Sequence, residues 1–131
     1  MSPSLQTPAT RERRIDYVEF ASADLEASRA FFERVFGWQF QAYGPDYLAF
    51  NDGRMDGGFY RIAVLPQGEG APLVVLHAEQ LAPMVEHVEA AGGVIVAPVF
   101  GFPGGSRFHF REPGGSILAV WSERPVDAPG A

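Results

Sequence analysis

A chain of 131 residues, 47% of them hydrophobic and including eleven Phe, four Tyr and two Trp, is long enough for one domain or for two fused half-units around a shared core. A formal net charge of −6 argues against a nucleic-acid groove or an anionic membrane surface as partner, and no long basic run follows the short RERR at residues 11–14. The absence of cysteine excludes disulfide staples, thiolate nucleophiles and Cys-based zinc sites.

No window approaches the roughly 18 apolar residues of a membrane span. Residues 1–13 carry Pro, Thr, Ser and charge without an apolar stretch, so they read as a flexible arm and not as a signal peptide. Residues 123–131 are polar and Pro-rich and read as a flexible tail. Between them, residues 14–122 form the expected single domain, and a cytoplasmic location fits this composition.

In chain order, residues 15–20 are expected to form a strand covered on both faces, because Tyr17, Val18 and Phe20 are all bulky. Asp24 is placed to cap a helix whose apolar face is Leu25, Phe32, Val35 and Phe36, with Gly37 supplying the left-handed residue that ends it. Strands follow at 38–43, 47–50 and 58–64, separated by the turns Gly44-Pro45-Asp46 and Asn51-Asp52-Gly53. The PQGEGAP run at 66–72 has linker composition. The second half then offers a strand at 73–78 and a helix whose apolar face is Leu81, Met84, Val85, Val88 and Ala91, closed by Gly92-Gly93. A strand at 94–99 and a Gly/Pro loop at 100–106 come next. Strands at 107–111 and 116–121, joined by Glu112-Pro113-Gly114-Gly115, complete the chain.

The two halves are copies. Leu25 matches Leu81 and Gly37 matches Gly93, both at an offset of 56 residues. A register kept across a whole strand-helix unit marks an internal repeat. The expected fold is therefore α+β: two βαβββ modules, at 14–65 and 72–122, forming a cupped mixed sheet with the helices outside.

The run YVEFASADLEASRAFFERVFGW and the ending REPGGSILAVW resemble the glyoxalase, bleomycin-resistance and extradiol-dioxygenase superfamily, also called vicinal oxygen chelate, over nearly the whole chain. The resemblance implies a glyoxalase-like cup that holds a ligand, commonly in a homodimer. It also implies a divalent metal bound by His, Gln or Glu from the first and last strands of each module. Carried over by position, the first-strand ligands fall at Tyr17 and Leu73, and a last-strand Glu falls at Ala119; no carboxylate lies at residues 57–68 for the fourth strand. A neutral phenol is a poor ligand at pH 7, and Leu and Ala are none at all. The expectation is a member without the usual metal ligands and without a cofactor.

Strand alternation assigns Tyr17 and Glu19 to the cup face of the first module. It assigns Leu73, Val75, His77, Ala119 and Trp121 to that of the second, together with Ile117. Phe108 and Phe110 join them, opposite Ala119 and Ile117, if the turn that follows has four residues, whereas a slip of one substitutes Arg107 and His109. Glu19 is the candidate catalytic group, since a carboxylate in an apolar cup has a raised pKa and serves as acid, base or cation partner. Each candidate also has a plainer reading: Glu19 as an exposed or ion-paired group, His77 as a structural histidine, and Trp38 and Trp121 as core. A metal site rebuilt from Glu19, His77 and His109 has the right residue types but not the family's spacing.

Two function classes follow. One is a metal-independent binder of a small organic molecule in an aromatic-lined cup, similar to drug-sequestering resistance proteins. The other is a lyase, isomerase or dioxygenase using Glu19 as general base or a non-standard metal site.

Overall fold

The computed structural model describes residues 12–63 and 71–127. Most of the expected linker, residues 1–11 of the arm and residues 128–131 of the tail lie outside the described residues.

In the first module, β1 (Tyr17–Ser22) leads into α1 (Leu25–Phe36). The Asp24 side chain accepts a hydrogen bond from the Ala27 amide at 3.1 Å, and Gly37 ends the helix at φ 71°. Both local signals act as their chemistry requires: an orphan amide finds a carboxylate, and the left-handed exit falls on the residue without a Cβ. Then come β2 (Gln39–Ala42), β3 (Tyr47–Asn51) and β4 (Asp56–Arg61), giving a four-stranded sheet of order β1-β4-β3-β2 in which β1 and β4 run parallel. The second module repeats this plan with β5 (Val75–His77), α2 (Leu81–Ala90), β6 (Val94–Phe102), β7 (Gly105–Arg111) and β8 (Ile117–Ser122). Its sheet has the order β5-β8-β7-β6, again with the first and last strands parallel. The chain is thus α+β with two βαβββ modules.

The repeat is looser than its offset implies. Gly37 is matched in function by Gly92, at φ 94°, and not by Gly93, because α2 has 10 residues where α1 has 12.

One core joins the modules. Phe20, Leu48, Phe50 and Phe59 enter it from the first sheet, and Phe108, Phe110, Leu118 and Val120 from the second. The aromatic side chains of α1 and its exit bridge them. Phe32 stacks on Trp38 and Trp38 on Phe50, each with 4.5 Å between centroids, while Phe31 and Phe36 reach Phe110 at 5.7 and 6.0 Å. Burying each such ring contributes on the order of 1.5–3 kcal/mol. The opposite face of each sheet, by alternation, looks away from this core.

The turn after β7 latches the modules together. Glu112, 1% exposed, accepts hydrogen bonds from Ser28 Oγ of α1 at 2.8 Å, from the Gly114 amide at 2.6 Å and from the Ser116 amide at 3.3 Å. Ser116 Oγ donates to the Ala21 carbonyl at 2.7 Å, and the Ala23 amide donates to the Gly114 carbonyl at 2.9 Å. A Cβ on Gly114 would collide with the hydroxyls of Ser22 and Ser28. The EPGGS run is therefore a structural clasp between the end of β1, the start of α1 and the second sheet. Burial raises the Glu112 pKa above the usual glutamate value, outweighing the hydrogen bonds that favour its charge.

Candidate functional site

The outward face of the first sheet carries Tyr17 and Glu19 of β1 together, as alternation requires, and adds Tyr47 of β3. The Tyr17 and Tyr47 hydroxyls are 2.6 Å apart, and Tyr47 donates to Glu19 Oε2 at 2.8 Å. The phenols meet over Gly58 of β4, where any side chain would strike the Tyr47 hydroxyl. Burial pushes the Tyr47 phenol far above its usual pKa, helped by its bonds to Tyr17 and Glu19. It therefore stays a proton donor, and Glu19 is a carboxylate held by a phenol on an exposed strand. Glu19 is exposed here and not enclosed in an apolar cup. Tyr47 was legible in the alternation of YLAF, which sends Leu48 and Phe50 inward and Tyr47 outward.

The fourth strand does carry a carboxylate, at its first residue. Asp56 pairs with Tyr17 across the β1–β4 ladder and accepts from Asn51 Nδ2 at 2.9 Å. The expected strand, 58–64, begins after it, whereas β4 spans Asp56–Arg61.

The outward face of the second sheet is aromatic and cationic. Val75 and His77 of β5 pair with Ala119 and Trp121 of β8, and these pair in turn with His109 and Arg107 of β7. His77 packs edge-on to Trp121 at 5.3 Å, and its Nε2 lies 2.7 Å from Glu123 Oε1. That bond lowers the Glu123 pKa and ties down the first residue of the expected tail. Ser106 Oγ holds the next by donating to the Arg124 carbonyl at 2.8 Å.

Phe108 and Phe110 are corrections. They pair with Val120 and Leu118 and are fully buried in the core, so Arg107 and His109 occupy the outward positions instead. The cause is a five-residue connection, 112–116, in place of four: the Glu112 amide pairs with the Ser116 carbonyl before β8 begins. One extra residue exchanges the faces of a strand. Leu73 is also displaced, half-buried and ahead of β5, which starts at Val75. Phe100 and Phe102 went unrecognised because 100–106 reads as a loop. In the structure β6 and β7 extend into a tight hairpin, with irregular register between Ile95 and Phe100, and Phe100 lands opposite Arg107.

A cleft of about 660 Å³ links the modules. It is lined by Val18 and Phe20 of β1, by Val75, Leu76 and His77 of β5, and by Trp38, Phe50 and Trp121. β1 and β5 are edge strands of their sheets, so the cleft lies where both leave an edge unpaired. Asp52 and Arg54 add charge to a mainly apolar lining, and the size and composition suit a small organic molecule. His77 and Trp121 are shared between the cleft and the second outward face, whereas Tyr17 and Glu19 do not line it.

Among the described residues, no group of three or more His, Cys, Asp or Glu is placed to hold a metal ion. The donor chemistry agrees: Tyr17 is engaged by Tyr47 and Asp56 by Asn51, while Ala119, opposite Val75, and Leu73 have no side-chain donor atom. The residues present do not fit a chelated divalent metal.

This fold and these motifs coincide with a known family. The model of the Glyoxalase/Bleomycin resistance protein/Dioxygenase superfamily matches residues 14–120, and the chain belongs to that superfamily. Solved structures agree on the fold. A glyoxalase-related enzyme from Fulvimarina pelagi is 21% identical, with a TM-score of 0.69, 91% of this chain and 96% of that one being covered. The fosfomycin resistance protein FosX from Mesorhizobium loti is 15% identical, with a TM-score of 0.69 and coverage of 84% and 92%. A lactoylglutathione lyase from Agrobacterium tumefaciens is 19% identical, with a TM-score of 0.63 and coverage of 86% and 96%. At such identities the likeness concerns architecture. No curated protein matches the chain.

Proposed function

We propose that this protein is a metal-independent member of its superfamily that binds a small organic molecule, as drug-sequestering proteins do. The observation that carries the reading is the aromatic cleft between β1 and β5, contiguous with His77 and Trp121, in a chain whose described residues gather no group of three or more His, Cys, Asp or Glu around a metal position. Stacking on Trp121 and burial against Phe20 and Trp38 supply affinity without any metal. No cofactor is required. The protein works in the cytoplasm as a homodimer, a state favoured by outward sheet faces that leave Tyr17 43% and Val75 39% exposed.

A thermal-shift screen of small aromatic compounds, run with and without chelator, tests this. Stabilisation that survives chelation is the expected result. One divalent ion per chain in the purified protein, with binding lost on its removal, would sink the metal-free reading. Sedimentation at micromolar concentration checks the dimer.

A second reading rests on the Tyr17–Tyr47–Glu19 hydrogen-bond chain, which gives a carboxylate a fixed position beside a protonated phenol. In that reading Glu19 is a general base for a lyase or isomerase reaction. Turnover of any screened ligand that falls by about 100-fold or more in Glu19→Gln supports it; unchanged turnover removes Glu19 from the mechanism.

A further inference from the structure

Arg107 sits in mid-face on the second sheet, between Phe100 on β6 and Trp121 on β8. Its guanidinium carbon lies 5.3 Å from the Phe100 ring centroid and 5.6 Å from that of Phe102. Phe102 in turn contacts Trp121, at 6.3 Å between centroids. The Arg107 Nε is buried without a hydrogen-bond partner, and so is Nε2 of His109, which packs on Phe100 at 5.6 Å. A buried donor left unmade is costly, and a guanidinium presents its donors as a planar fork suited to a carboxylate. Among the described residues no carboxylate forms an ion pair with Arg107; the nearby Glu123 is bonded to His77.

The geometry points to Arg107 as the anion-recognition residue of a site for a planar aromatic acid. The acid group of such a ligand takes the guanidinium fork, and its ring lies on Trp121 and Phe102. His109 is held neutral by burial and by the Arg107 charge, so it adds a polar ring nitrogen beside the fork without a second charge. This rests on the small-molecule reading above and names a ligand class; the site adjoins the cleft through Trp121, while Arg107, Phe102 and His109 lie outside the cleft lining. It favours an anion over a cation because the unpaired charge on this face is positive, whereas the carboxylate Glu19 belongs to the other sheet. The plainer alternative is an arginine that merely covers two phenylalanines.

Three probes with one ring system separate these cases: indole-3-acetate, indole-3-acetamide and tryptamine, titrated calorimetrically into the full chain. The expected order puts indole-3-acetate tightest, with the amide and the amine at least about ten-fold weaker. Arg107→Gln should weaken indole-3-acetate by roughly ten- to a hundred-fold and leave the amide unchanged, because charge-assisted bonds of this kind carry that much. Arg107→Lys, which keeps the charge and loses the fork, should fall between, and Arg34→Gln on exposed α1 surface should change nothing.

Equal binding of acid and amide, or an Arg107→Gln variant that binds the acid normally, overturns the anion site while leaving a metal-free binder standing. Failure of all three probes on the wild-type chain also overturns it, and the broader reading is then decided by the chelation screen. If Arg107→Gln does not fold, the order of the three probes on the wild-type protein still decides.

Discussion

The two sheets share a topology, and their outward faces have opposite chemistry. On the first, Tyr17, Tyr47 and Glu19 form a chain of hydrogen bonds ending on a carboxylate. On the second, Arg107, His109, Phe100, Phe102 and Trp121 form an aromatic shelf around a cation. Strand order and the parallel pairing of first and last strands are the same in both. Backbone pairing and the inward apolar positions are what the duplicated fold needs, so the repeat retains them. The outward positions carry no such duty and are free to hold different chemistry. Glu19 and His77, candidates for one cup from sequence, bond on different sheets: Glu19 to Tyr47, and His77 to Glu123.

The largest expected effect tests which face Phe110 occupies. As a bridge between α1 and the second sheet, Phe110→Ala should cost about 3–5 kcal/mol of folding stability, measured by denaturant titration. A loss below about 1 kcal/mol would return Phe110 to the open face and take Arg107 and His109 off it.

The clasp comes next. The folded pKa of Glu112 lies above its usual value of 4.5, so its contribution to stability is fully present below that pH. It is lost as the pH rises through the folded value, because the unfolded chain ionises this group more readily. Thermal unfolding across this window should show a falling midpoint that flattens in Glu112→Gln. A wild type and variant with parallel pH profiles would remove Glu112 from the linkage. Gly114→Ala should destabilise by about 1–3 kcal/mol through crowding against Ser22 and Ser28, and a silent substitution would contradict the close approach.

The smallest effect concerns the rim of the second face. In His77→Ala the Glu123 carboxyl should titrate higher than in the wild type when followed by NMR, because its largest lowering contact is gone. No movement would mean that the His77–Glu123 pair does not form in solution.

Much of the fold was legible in the residues. Asp24 and Gly37 bounded α1 through capping chemistry that acts within a few residues, and the offset between Leu25 and Leu81 announced the duplication. Alternation, a local rule, groups Tyr17 with Glu19 on one face of β1 and Val75, His77, Ala119 and Trp121 on one face of the second sheet, and of these only Val75, His77 and Trp121 line the cleft. Phe108 and Phe110 were not placed by that rule alone, because their side depends on whether a turn has four residues or five. Ser116 decides that by pairing with Glu112. Phe100 and Phe102 were hidden by Gly and Pro, whose turn signal is strong enough to mask the ends of a hairpin.

By itself, then, the sequence determined the elements, their order and their duplication. Each follows from properties of single residues or near neighbours. Only the tertiary structure decided that Arg107 faces outward, that EPGGS is a clasp, and that the cleft draws on both modules. Those depend on contacts between residues far apart in the chain, such as Ser28 with Glu112 and Phe31 with Phe110, which form only when the two halves close on one core.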